Sequence, residues 1–239
     1  MNSNYKIVVL IPCRSGSKTL PNKNIMLYKN LPLFVHSIKV AQELSNIISE
    51  IYVSTDSPEY QQIALQYGAK APFLRPVEIS GDWSSDLDVF QHFIEYYYKT
   101  NHTYPDIIVH LRPTYPNRSV RLLKDTLDHF ITNYNNYDSL RTVAPIEKSL
   151  FKMYHIDNTN NTLVPPYRKI NNINEPYNQA RQILPQTYLH NGCIDIIKTY
   201  TVISENSMSG DKILPYIMNE KDIHDIDTLE DFNKSYLVK

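Results

Sequence analysis

The residues best suited to chemistry gather near the two ends of the chain. Pro12-Cys13-Arg14-Ser15-Gly16-Ser17-Lys18 packs cations, hydroxyls and a glycine into one stretch, and Pro21-Asn22-Lys23-Asn24 adds a further cation close behind. Loop N–H groups there can cradle an anion while Arg14 and Lys18 neutralise phosphate charge. The glycine and Lys-Ser/Thr spacing of a P-loop is absent, and taken alone the segment reads equally well as a solvated basic loop. At the other end stands His224-Asp225-Ile226-Asp227-Thr228. Carboxylates two positions apart point to the same side of an extended segment, so Asp225 and Asp227 could face one metal ion. Mg2+ held by one or two carboxylates plus substrate phosphates is the usual arrangement at phosphoryl-handling sites. Most isolated Asp-x-Asp pairs, however, are surface turns or helix caps. Between the two ends lie Ser54-Thr55-Asp56, Arg75-Pro76-Val77-Glu78, Asp82 and Ser84-Ser85-Asp86.

The elements that must position these groups are legible from periodicity. Ile7 to Pro12 is a continuous apolar run ended by proline, the pattern of a central strand buried on both faces. Leu33 to Glu43 has helical spacing with an apolar stripe at Val35, Ile38 and Val40-Ala41. Ile48 to Thr55 reads as a second strand, and Pro58 as the first turn of a helix. Asp86 to Tyr98 and Val120 to Phe130 read as helices, Ile107 to Leu111 as a third strand. Such alternation predicts an α/β fold with an open, doubly wound, mostly parallel sheet and ligands beyond the carboxyl ends of its strands. The stretch from Asp157 to Gln186 has a different texture, rich in Asn, Pro and Tyr. It reads as an excursion from the sheet, a substrate flap or a dimer arm, with a disordered linker as the bland alternative. Strand character returns at Cys193 to Ile197, and Ile223 to Phe232 closes with an acidic turn and a helix.

Composition limits the possibilities. The chain has 239 residues, 42% of them hydrophobic, enough for one large domain with a modest insertion. Lys plus Arg total 24 and Asp plus Glu 25, so the net charge of −1 gives no reason to expect nucleic acid or an anionic membrane as partner. The start lacks the features of a signal peptide, no segment approaches the ~20 apolar residues of a membrane span, and only Cys13 and Cys193 are present. A cytoplasmic protein is the default expectation.

The pieces also occur in a recognisable order. Ile11 to Lys18 carries Ile-Pro-x-Arg-x-x-Ser-Lys and Pro21 to Asn24 carries Pro-x-Lys-Asn. Then follow Ser54-Thr55-Asp56, Arg75 to Glu78, Pro113 to Pro116, Arg181 to Pro185, Asn191-Gly192 and Asp225 to Thr228. Each is weak alone; the ordered set is specific. From about Ile7 to Phe232 the chain resembles the acylneuraminate cytidylyltransferase family, the CMP-sialic acid synthetases with their legionaminate and pseudaminate relatives. The resemblance implies a Rossmann-like nucleotide-diphospho-sugar transferase domain over residues 1–239. An insertion at about 145–190 would form a dimer arm or substrate flap, and the molecule would be a homodimer. It implies transfer of CMP from CTP to the anomeric hydroxyl of an acidic nonulosonic sugar, with Mg2+ as cofactor and pyrophosphate released. By position, Arg14, Ser17, Lys18 and Lys23 would hold the triphosphate, Asn24 would face the ribose, and Arg75 would read the cytosine edge with backbone near Ser84 helping. Asp227 would bind the metal with Asp225 beside it. Arg112, Arg181, Tyr188 and Asn191 would line the acceptor side. Arg14, Lys18, Lys23 and Asp227 would carry catalysis, which needs positioning and charge neutralisation more than covalent chemistry.

The sequence departs from the family pattern at Thr19 (commonly glycine), at Asp86 (serine in some members), at Arg112 (commonly glutamine) and at Tyr115-Pro116-Asn117-Arg118 (often Ser-Pro-Leu-Arg). Arg112 brings a bidentate cationic fork to the acceptor side; the bland reading is that it pairs with an acid such as Asp86. A sugar 1-phosphate or other phosphorylated acceptor is therefore an alternative, and a catalytically silent nucleotide-binding protein a further one. Cys13 lacks a visible partner base and is not expected to act as a nucleophile.

Overall fold

The computed structural model describes residues 5–18, 20–219 and 225–236. Thr19, Ile223 and His224, on which sequence expectations were placed, lie outside them. The described residues form two compact units, those within 1–142, 192–216 and 224–239 in the first and those within 143–191 and 217–223 in the second.

The first unit is built on β1 (Ile7–Pro12). Its apolar run leaves no side chain from Ile7 to Ile11 in contact with solvent, because β1 is paired on both sides, parallel to β4 (Glu50–Ser54) and to β5 (Ile107–His110). Each buried Ile, Leu or Val contributes about 1.5–3 kcal/mol relative to exposure. The full sheet order is β12-β6-β11-β5-β1-β4, adding β6 (Ser139–Pro145), β11 (Tyr188–Lys198) and β12 (Ile213–Ile217). The expected parallel sheet thus holds at its centre, but β11 runs antiparallel to β5. The strand arrives from the second unit instead of through a helical crossover, and only a crossover imposes parallel pairing. Two short strands, β2 (Leu27–Tyr28) and β3 (Leu31–Pro32), form a small hairpin.

Helices α1 (Val35–Gln42), α2 (Pro58–Gln66), α3 (Asp86–Asn101), α4 (Val120–Thr132), α5 (Thr199–Ser204) and α6 (Leu229–Tyr236) complete the unit. Their starts are chemically specified. Ser57, Ser85 and Ser119 accept from the N–H groups of Tyr60, Asp88 and Leu122, and Ser85 with Asp88 forms a reciprocal capping box. Phe90, Phe93, Ile94 and Tyr97 of α3 pack on Val8, Leu10, Tyr52 and Ile108. Of the tyrosines at 96–98, Tyr97 is core and Tyr98 is exposed, as three successive helical positions require.

The second unit holds hairpins β7 (His155–Asp157) with β8 (Thr162–Val164) and β9 (Lys169–Ile170) with β10 (Ile173–Asn174). Its asparagines have a use the sequence reading missed. Asn161 and Asn171 take the left-handed conformation at the hairpin turns, at φ 56° and 50°, which asparagine tolerates better than most residues. Side-chain oxygens of Asp157 and Asn160 accept from the N–H groups of Thr159 and Thr162. The segment is hairpin structure, not a linker.

A separate small core fixes the C-terminal segment. Ile226 is fully buried and packs with Tyr28, Leu33 and Phe232, its N–H donates to Thr114 O at 2.9 Å, and the Tyr28 hydroxyl reaches Ser235 O at 2.5 Å. Ile226→Ala should cost about 2–5 kcal/mol of stability by the large-to-small rule, whereas exposed Glu230→Ala should stay within about 0.5 kcal/mol. Urea unfolding of the two variants beside the parent chain checks this; equal, small losses would show that Ile226 anchors nothing.

Candidate functional site

β1, β4 and β5 end at the same edge of the sheet, and the residues leaving them line a cleft of about 570 Å³. Arg14, Ser17, Lys18, Lys23, Asn24, Arg75, Ser84, Asp86, Arg112 and Asp227 all contribute to its wall. The structure therefore brings together every residue assigned from sequence to nucleotide and catalysis, Lys23 and Asp227 meeting across 204 positions of chain.

The phosphate-type loop is tied at its start. Cys13 N–H donates to Ser54 O at 2.8 Å, continuing the β1–β4 ladder. Ser15 then gives both its N–H and its hydroxyl to the Asp56 carboxylate, at 2.8 Å each. Asp56 is thus a loop anchor. Asn24 Nδ2 donates to Arg14 O at 2.9 Å, which ties the second basic segment to the first. Burial pushes the Cys13 thiol far up, against the nearby Arg75 charge that would lower it, so the sulfur stays protonated and inert. Arg75 is buried at the base of the cleft; its Nε donates to Ser54 Oγ at 3.1 Å and its Nη2 to Ser54 O.

Apart from Arg75, each Lys or Arg lining the cleft has a carboxylate opposite. Arg14 Nη1 donates to Asp82 Oδ1 at 2.9 Å, and Lys18 pairs with the other oxygen of Asp82. Lys23 Nζ donates to Asp227 Oδ1 at 2.9 Å. Arg112 reaches Asp195 Oδ2 at 2.8 Å and Asp86 Oδ2 at 3.0 Å, with a longer contact to Gly192 O at 3.3 Å. Its pairing with Asp86 was the bland reading from sequence; the partnership with Asp195 was not anticipated, because Asp195 lies 83 positions away inside a strand. Although burial acts against it, Asp195 and Asp86 hold the guanidinium firmly charged. Gly192 is required here: its φ is +68°, and an added Cβ would sit 3.0 Å from Arg112 Nη1.

His110 is a second residue that sequence reasoning missed. It ends β5 fully buried, with Nδ1 3.7 Å from Asp195 Oδ2. Burial, with the Arg112 charge adding, pulls its pKa down to about 4, so the imidazole is neutral near pH 7. Only its place at a strand's carboxyl end signalled it. Arg118 is buried as a brace, donating to Cys193 O, Ser37 Oγ and Arg112 O.

With Ile226 turned into its core, Asp225 and Asp227 flank it on a segment without regular secondary structure. Loss of solvent pushes the Asp225 carboxyl up, with the Thr114 hydrogen bond opposing and the Asp227 charge adding. Among the described residues no cluster of three His, Cys, Asp or Glu side chains forms a ready metal cage. A pair of hard carboxylate oxygens at a cation-lined cleft nevertheless fits a divalent ion that draws its remaining ligands from phosphates and water.

Arg181, Tyr188 and Asn191 belong to the second unit. Arg181 is exposed beside a small cavity with Ser149, Gln186 and Thr187, Tyr188 is 46% exposed, and Asn191 is buried with Nδ2 3.2 Å from Met218 Sδ. Among the described residues no helix is long and apolar enough to cross a membrane.

Comparison with known proteins bears on what such a cleft handles. Residues 8–204 match the family model described as Cytidylyltransferase. The chain is 29% identical to a pseudaminic acid cytidylyltransferase of Campylobacter jejuni, over 95% of this chain and 93% of that one. It is 31% identical to the CMP-N,N'-diacetyllegionaminic acid synthase of Legionella pneumophila, over 93% and 91%. It is 30% identical to an N-acylneuraminate cytidylyltransferase of Streptococcus agalactiae, over 95% of this chain but 52% of that longer protein. In fold it is similar to a CMP:2-keto-3-deoxy-manno-octonic acid synthetase solved with CTP, at a TM-score of 0.67, 18% identity and 97% coverage of both chains. With a match spanning most of its length and the cleft to go with it, the chain belongs to the cytidylyltransferase family of CTP-dependent nucleotidyltransferases.

Proposed function

We propose that this chain transfers CMP from CTP to the anomeric hydroxyl of an acidic nonulosonic, sialic-acid-like sugar and releases pyrophosphate. The observation that carries the reading is the convergence of Arg14, Ser17, Lys18, Lys23, Asn24, Arg75 and Asp227 on one cleft, in a chain matched over nearly its whole length by relatives named for three such sugars. Arg14, Ser17 and Lys18 bind the triphosphate, and buried Lys23 neutralises charge developing at the phosphorus under attack. Asn24, fixed by its bond to Arg14 O, faces the ribose. Arg75, held by Ser54, reads the cytosine edge together with backbone near Ser84. Asp227 with Asp225 holds Mg2+, which supplies Lewis-acid neutralisation of phosphate charge when bound. Arg112, kept rigid by its two carboxylates, is the acceptor-side residue of this cleft. That double pairing also weakens the case for a phosphorylated acceptor, because the Arg112 fork is already committed. The reaction belongs in the cytoplasm, where CTP is made.

The second unit serves as the arm of a homodimer. Ile156 and Leu163 face each other across the β7–β8 hairpin at 57% and 64% exposure, apolar area that a partner would cover. Light scattering should give twice the monomer mass for the parent chain and a monomer for the double variant Ile156→Lys, Leu163→Lys. A monomeric parent chain removes the arm from the reading.

Pyrophosphate release should be measured with each nucleoside triphosphate against a panel of 2-keto sugar acids and sugar 1-phosphates, with Mg2+ and with EDTA. Release is expected only with CTP, metal and a nonulosonic acid; release with another triphosphate, or only with sugar phosphates, overturns the reaction. Asp227→Ala and Lys23→Ala should each lower kcat by about 10²–10³-fold, the loss typical of a removed charge-stabilising group. Retained kcat in Asp227→Ala would favour a carboxylate with no part in the chemistry.

A further inference from the structure

Arg14 and Lys18 close on a single carboxylate. Asp82 offers Oδ1 to Arg14 Nη1 at 2.9 Å and Oδ2 to Lys18 Nζ. Two cations assigned to phosphate are thereby bridged by an anion from the neighbouring turn, in the geometry with which they would bridge phosphate oxygens. The arrangement is open to solvent, with Lys18 78% and Asp82 30% exposed, and exposed pairs of this kind hold weakly. A triphosphate brings several negative charges to the same two groups.

The turn that carries Asp82 also carries Trp83. Ser84 N–H donates to Gly81 O at 3.3 Å, making Asp82 and Trp83 the turn's central residues. Trp83 is the chain's single tryptophan, lines the rim of the cleft and is 99% exposed. Val77 on the same segment is 78% exposed. A large indole left in water at the mouth of a ligand cleft forfeits the burial that aromatic side chains normally gain. The turn has firm ends, with Ser80 Oγ donating to Pro76 O at 2.7 Å and Ser85 locked in its capping box. Between them Gly81 has open space around it, the nearest atom to an added Cβ being Ser84 Oγ at 3.8 Å.

We infer that Asp82 takes the place of a phosphate between Arg14 and Lys18, and that an entering nucleoside triphosphate takes both cations from it, releasing the turn so that Trp83 packs against the bound ligand. Trp83 is then a ligand-contacting residue, and Asp82 a positioning residue that sets how tightly the nucleotide is held. The inference rests on the CTP-binding reading of this cleft.

Trp83 emission reports on this turn alone. Titration with CTP, and with pyrophosphate, should shift it saturably to the blue, and cytidine should leave it unchanged. In Asp82→Asn the CTP midpoint should fall several-fold while the melting temperature stays at the parent value; Asp82→Ser serves if the first variant melts early. Calorimetric CTP binding without any change in emission overturns the inference, as do equal or weaker CTP binding by both folded variants, or a shift caused by cytidine and not by pyrophosphate. Absence of calorimetric CTP binding in the parent chain would instead bring down the proposed function, and this inference with it.

Discussion

The parallel pairing of β1 between β4 and β5 is the constraint from which the site follows. Pro12 lies opposite Ser54 and Leu10 opposite His110, so three segments leave the sheet at one edge: Cys13 to Lys18, Thr55-Asp56, and Leu111 to Thr114. Parallel strands all end on the same side, and the polar groups needed to handle an anion can gather there without entering the core. Asp56 exploits this by holding Ser15 across the β1–β4 boundary, and Arg75 does so through Ser54.

Charge balance is the second organising principle. The cleft concentrates Arg14, Lys18, Lys23 and Arg112, which would repel one another, and meets each with an acid: Asp82, Asp227, Asp86 and Asp195. The pairs differ in depth. Asp195 is buried and its bond to Arg112 is shielded, where breaking one partner of a pair is costly. Asp82 and Asp227 lie in or near solvent, where ion pairs exchange readily. A shielded pair suits a rigid wall, and an exposed one suits a position that ligand phosphate will contest.

Much of this was legible in the sequence. The uninterrupted apolar run at 7–12 dictates a strand buried on both faces, Pro58 and helical apolar spacing mark helices beginning near 58, 86 and 120, and the ordered motifs single out residues that the structure gathers at one cleft. Less visible were the antiparallel return of β11, strands β6 and β12, and the hairpins of the second unit. β6 and β11 have mixed flanks and no crossover helix to frame them, and two- or three-residue strands carry too little periodicity to register.

By itself, then, the sequence determined the residue types and the strand that presents them, since local hydrophobic pattern and capping chemistry act over a few neighbouring positions. Tertiary structure alone decided which charges meet. Asp195 pairs with Arg112 from 83 positions away and Asp227 with Lys23 from 204, and Asp56 and Asp82 became a loop anchor and a bridge only through residues brought over by the sheet. Ion pairing depends on separation in space, and no local pattern encodes a distance that the packing of β1, β4 and β5 creates.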